Sequence, residues 1–199
     1  MYSGGIDPKP AFIILAIAGC FLVFFLTRKK PELRLGWYVL VVYSAFLLSI
    51  LFFPIPISQE AISYSRWRAE HGLGAQNNFQ LFSLIKQTYG TSNFIYQVGG
   101  NLALLFPLGL ILGFLAAPLR IYRNVIMIAS VVIAIESLQA FITFVLGFPF
   151  RSFDVDDIWL NFLGGILGLV IARAVIQFRP EFQWQLRRLQ LTRLEKAPY

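Results

Sequence analysis

Five apolar runs, each long enough to cross a bilayer, constrain this chain more than anything else in its sequence. They extend from Ala11 to Thr27, Leu35 to Ile57, Ile95 to Ala117, Val125 to Phe148 and Ile158 to Phe178. A hydrocarbon core of about 30 Å takes roughly 20 helical residues, so the first run stands at the short limit. Pro54 and Pro56 mark the exit end of the second. With 57% apolar and only 14% charged residues, the balance is that of a membrane protein rather than a soluble one. The expectation is an all-α integral membrane protein, a bundle of about five transmembrane helices. Its surroundings are the lipid bilayer.

Charge sets the orientation. Arg28, Lys29, Lys30, Arg34, Arg120, Arg123, Arg179, Arg187, Arg188, Arg193 and Lys196 fall on one side, eleven in all. Lys9, Arg66, Arg68, Lys86 and Arg151, five, fall on the other. The positive-inside rule then places the N-terminus outside and the C-terminus in the cytoplasm. The net charge of +7 sits beside apolar runs and forms no basic patch on a soluble domain, so nucleic acid is not expected as a partner. One cysteine, Cys20, excludes an intramolecular disulfide and zinc-type spacing. Ile17-Ala18-Gly19-Cys20 has the look of a lipoprotein box, but its basic cluster follows the apolar run instead of preceding it.

The chain divides into residues 1–93, two helices and a long extracytoplasmic loop; 94–178, a core of three helices; and 179–199, a basic amphipathic tail. In the tail Phe182, Leu186, Leu189 and Leu194 share a face among arginines, which suits an anionic inner leaflet. In the loop from Ser58 to Asn93, Phe79, Phe82, Ile85 and Tyr89 recur at helical spacing. That segment either rests on the membrane surface or caps the bundle.

Polar residues inside the core point to a site. They are Asn101, Glu136, Gln139, Arg151, Asp154, Asp157 and Asn161. A charge at the centre of a spanning helix costs about 2.5 to 3.5 kcal/mol, tolerated when it is paired or faces a wet cavity. Asp154, Asp157 and Asn161 share one helical face, and Glu136, Gln139 and Thr143 form a stripe on another helix. Acids in a first turn also favour the helix dipole, which is reason enough for Asp156. A neutral, hydrogen-bonded Glu136 that merely holds helices together is the bland alternative. Gly109 with Gly113, and Gly164 with Gly168, make close helix approach plausible. Pro107 is expected to kink its helix and free carbonyls near Asn101.

Several chemistries are excluded. His71 is the single histidine, so no His-rich metal site and no Ser-His-Asp triad can form from this chain. No glycine-rich phosphate loop occurs. The carboxylates can be weighed as a hard-cation site, but no metal or other cofactor is expected. Catalytic residues are not assigned; Glu136 and Asp157 are the candidates for an acid–base pair.

The same residues carry a resemblance. Gly100-Asn101-Leu102-Ala103-Leu104-Leu105-Phe106-Pro107-Leu108-Gly109 resembles an N-L-L-x-F-x-P-L-G segment of VanZ-like membrane proteins, and Ile135-Glu136-Ser137-Leu138-Gln139 their E-x-x-Q helix. Arg151, Asp154, Asp157, Asn161, Gly164 and Gly168 are similar to their R-x-x-D-x-x-D-x-x-x-N-x-x-G-x-x-x-G ending. The resemblance spans Gly100 to Gly168. It implies a multi-pass protein of the bacterial cell envelope and cell membrane, with a founding member tied to teicoplanin-type glycopeptide resistance. Three functions stay open. One is an outer-leaflet site for a polyprenyl-linked envelope intermediate or a glycopeptide, with Arg151 on a phosphate or carboxylate. The others are a membrane enzyme using Glu136 or Asp157, and a structural subunit of an envelope or polysaccharide-assembly complex. The sequence names no protein partner.

Overall fold

The computed structural model describes residues 5–27, 34–115, 121–151 and 153–178. The amphipathic tail 179–199, the cluster Arg28, Lys29 and Lys30, and Arg120 lie outside the described residues. Five long helices, α1 (Pro8–Leu26), α2 (Arg34–Phe52), α5 (Asn93–Leu115), α6 (Ile121–Leu146) and α7 (Val155–Phe178), are each long and apolar enough to cross a membrane. The five-helix expectation holds, and the protein is a multi-pass membrane protein. Two ends move. The second helix stops at Phe52 rather than Ile57, because Pro54 and Pro56 lack the N–H that would extend it. The fifth begins at Val155 rather than Ile158.

Short elements gather on one face. Gly5–Ile6 (β1) pairs antiparallel with Ile55–Pro56 (β2), joining the start of α1 to the exit of α2. The long connection holds α3 (Gln59–Glu70) and α4 (Ser83–Thr88). Ser58 opens α3 by accepting from the Ala61 amide at 3.1 Å, a side-chain cap that satisfies one orphan donor. We call this side the loop face.

Since α5 and α7 both leave the loop face, they run parallel, with α6 returning between them. Their contact is the largest between any two elements, and glycine is the reason. A Cβ at Gly164 would strike the Leu102 carbonyl oxygen, and one at Gly168 that of Phe106. One at Gly109 would strike the Gly165 carbonyl, and one at Gly113 the Ala172 methyl. Backbone therefore lies on backbone, the packing that small residues permit inside a bilayer. Leu105, Leu108 and Leu112 of α5, Ile128, Val132 and Ile135 of α6, and Leu169 of α7 fill the centre, with Leu47 of α2 among them. The Tyr43 hydroxyl donates to the Leu104 carbonyl at 2.7 Å and pins α2 to α5. Pro107 sits within α5, which continues through it. On the outer surface Ile133, Phe141 and Phe144 stay exposed, as lipid-facing side chains do.

The loop differs from a single amphipathic helix. Phe79 precedes α4, and Phe82 takes a left-handed conformation (φ 64°) at its start. The Phe79 ring packs on Phe153 at 5.5 Å and the Phe82 ring on Trp159 at 5.2 Å. These aromatics fasten the loop to the start of α7, so this part of the loop caps the bundle.

Candidate ligand-binding site at the start of α7

Three aspartates open α7, and the structure gives each different work. Asp154 is the cap: its Oδ1 accepts from the Asp156 amide at 2.8 Å and from Asn78 Nδ2 at 2.7 Å. Around it the loop and core chains exchange backbone bonds, Asn78 N–H to the Phe153 carbonyl at 2.8 Å and Val155 N–H to the Asn78 carbonyl at 3.1 Å.

Asp156 is the residue that sequence reasoning misjudged. Instead of merely facing the dipole, it is fully buried and accepts four bonds. They come from the amides of Phe82 (2.6 Å) and Leu84 (2.7 Å), the Ser83 hydroxyl (3.4 Å) and Trp159 Nε1 (2.8 Å). The loop's turn into α4 is thus held by one carboxylate. Three acids in four positions carry no mark of which one is inside; the three loop partners lie more than seventy positions away.

Asp157 turns toward α5 and accepts a hydrogen bond from Asn101 Nδ2. On α6, Glu136 is buried at 5% exposure, and its Oε2 has no donor among the described residues. It stands within electrostatic reach of both Asp157 and Asp154, and the Asp154 backbone N–H faces it. Helix register explains the meeting. Gly165 abuts Ile128, and counting eight residues toward the loop face along each antiparallel helix reaches Asp157 and Glu136. Asn161 lies one turn deeper, 4% exposed, its Oδ1 also without a donor. Asn101, Glu136, Asp154 and Asp157 therefore meet at one centre, and Asn161 follows Asp157 on the same face of α7.

Gln139 and Arg151 serve a different place. Gln139 Nε2 donates to the Leu51 carbonyl at 3.4 Å. Arg151 Nη2 donates to the carbonyls of Phe53 at 3.0 Å and Ile50 at 3.4 Å. Both close the C-terminal end of α2, whose last carbonyls have no helical donors and whose dipole favours a cation. Burial holds the Arg151 guanidinium below its ordinary value. The main chain of Arg151 is fixed by Thr143, whose hydroxyl lies 3.3 Å from its carbonyl and 3.4 Å from its amide. The α6–α7 connection thus folds back along the last turn of α6, so that Glu136, about 15 Å from the end of α6 at 1.5 Å per residue, comes level with the first turn of α7.

The VanZ/LLP1 family profile matches residues 40–177. The chain belongs to the VanZ/LLP1 family. In this VanZ/LLP1 protein the match begins inside α2, ahead of the segment that carries the motif resemblance. The contacts of α2 with the core give a reason: Tyr43 on Leu104, and Gln139 and Arg151 on its final carbonyls. No curated protein and no solved structure matches the chain. Among the described residues, no group of three or more His, Cys, Asp or Glu is placed to hold a metal ion. What the centre presents is a set of oxygen acceptors, which can hold a donor or move a proton.

Proposed function

We propose that this VanZ/LLP1 protein is a binding protein of the bacterial cell membrane, its loop face outside. Its polar centre takes the polar group of a lipid-linked envelope intermediate and through it alters susceptibility to teicoplanin-type glycopeptides. The observation that carries this reading is the pair of buried oxygens without donors, Glu136 Oε2 and Asn161 Oδ1. An unfilled buried acceptor costs about 1 to 3 kcal/mol, and a ligand that supplies the donor recovers that cost. The excess of Lys and Arg on the opposite side of the membrane supports the outward orientation.

The test is teicoplanin and vancomycin susceptibility of a sensitive Gram-positive host. It would express the wild type, Glu136→Gln or Asp157→Asn at matched membrane levels. Protection by the wild type alone supports the reading; equal protection by all three removes the centre from the function. A second reading is favoured by the level pairing of Glu136 with Asp157: an acid and a base acting on a lipid-linked or glycan substrate. Turnover by the purified protein, lost in Glu136→Gln with folding intact, would replace binding by catalysis. Unchanged substrate after prolonged incubation with folded protein retains binding.

A further inference from the structure

The chemistry of the centre also selects its ligand, given that it is a binding site as proposed above. Among the described residues, the buried atoms of Glu136 and, one turn deeper, Asn161 that have no partner are both oxygens, Glu136 Oε2 and Asn161 Oδ1. The side-chain donors that Asp154 and Asp157 hold are neutral amides, Asn78 and Asn101. Arg151, the cation nearest in sequence, directs its Nη2 to the carbonyls of Ile50 and Phe53. Its buried, unpartnered Nε belongs to that same guanidinium turned to α2. Three carboxylates, Glu136 buried and Asp154 and Asp157 half-buried, thus stand near one another where the side-chain donors they hold are uncharged.

Such a place repels a phosphate, whose oxygens would face oxygens. A hydroxyl brings one proton and no charge. A quaternary ammonium brings charge without an N–H. A protonated primary amine brings both, three donors and a full positive charge, and its bonds to carboxylate are the stronger, charge-assisted kind. We propose that the Glu136–Asp157–Asn161 centre binds a primary ammonium group, carried by a lipid headgroup or by a soluble amine.

The experiment uses the full chain in detergent and reads retained lipid by native mass spectrometry. The probes are equimolar phosphatidylethanolamine, its mono- and dimethyl derivatives, phosphatidylcholine and phosphatidylglycerol. Each methyl group replaces one N–H, so wild-type retention is expected to fall stepwise along the series. The total drop to phosphatidylcholine is expected to exceed roughly tenfold, the size of a single lost charged hydrogen bond. Glu136→Gln and Asp157→Asn should each flatten the series. Because the series is read on the wild type, a variant that fails to fold does not decide the result.

Soluble ethanolamine separates the sources. If it displaces phosphatidylethanolamine, the amine suffices; if it does not while the series holds, the headgroup on its lipid is the ligand. Equal retention of every lipid by wild type overturns the ammonium proposal. If phosphatidylglycerol is preferred and that preference vanishes in Glu136→Gln, the centre binds hydroxyls and only the ligand class is wrong. If no probe's retention responds to folded Glu136→Gln or Asp157→Asn, the binding-site reading falls as well.

Discussion

Asn101 and Asp157, 56 positions apart in sequence, join the parallel helices α5 and α7 by one side-chain hydrogen bond. Around this bond the two backbones are already in contact through glycine, so it adds alignment along the helix axes more than adhesion. Removing the donor leaves the half-buried Asp157 carboxylate without its amide partner, beside Glu136 and Asp154. Asn101→Leu is expected to lower stability by about 1.5 to 3 kcal/mol, the range for a hydrogen bond to a charged group. Asp157→Asn should cost less in the Asn101→Leu background than in wild type, with a coupling of about 1 kcal/mol or more. Reversible unfolding of the four proteins in mixed micelles measures the cycle. Additive losses would show that the two side chains act independently.

Arg151 gives a prediction that separates two jobs for one guanidinium. If it closes the end of α2, Arg151→Leu strips donors from Ile50 and Phe53 and lowers stability by about 2 kcal/mol. Lysine keeps the charge but not the planar fork, so Arg151→Lys should recover only part of the loss. An anion receptor would behave differently: stability would stay near wild type and binding of a phosphate-bearing probe would drop. Thermal unfolding beside probe binding distinguishes the outcomes.

How much of this was legible beforehand depends on the range of the interaction. The five spans were legible because a bilayer imposes length and polarity on each helix separately, a local rule. Asn101, Glu136, Asp154, Asp157 and Asn161 were legible as a group because polar residues in apolar helices have few tolerable positions. Their partition was not. Nothing local to Gln139 or Arg151 says that the end of α2, about a hundred positions earlier, needs donors. Asp156 was missed for the same reason, since its partners sit in a loop whose fold the periodicity of Phe79, Phe82, Ile85 and Tyr89 misdescribed.

Asp156 should therefore govern the loop. Asparagine in its place keeps the size but replaces one acceptor oxygen with a donor, which then faces an amide N–H. Asp156→Asn is expected to release the segment 78–84 locally while the helices stay packed, because local openings need not follow the global unfolding. Limited proteolysis should cut there roughly tenfold faster than in wild type, the effect of about 1.4 kcal/mol in the opening equilibrium. An unchanged cleavage rate would mean that the aromatic contacts of Phe79 and Phe82 hold the loop without the carboxylate.

The glycines of the α5–α7 contact permit a test against an internal control. Gly100 and Gly164 are both helical, and of the two only Gly164 has a small residue four positions on, Gly168. In space they differ: a Cβ at Gly100 meets nothing within 4 Å, whereas one at Gly164 lands on the Leu102 carbonyl oxygen. Gly100→Ala removes backbone freedom from the unfolded chain without a clash, and should stabilise the protein by about 0.4 to 1 kcal/mol. Gly164→Ala gains the same and must push α7 off α5, an overpacking cost of about 1 to 3 kcal/mol that outweighs it. The shift also pulls Asp157, two turns above Gly164, from Asn101. Gly164→Ala should therefore reduce the coupling between Asn101 and Asp157 as well as the stability. If Gly164→Ala lowers stability and leaves that coupling at its wild-type value, the hydrogen bond is held by the loop face alone and not by the register of the glycine contact beneath it.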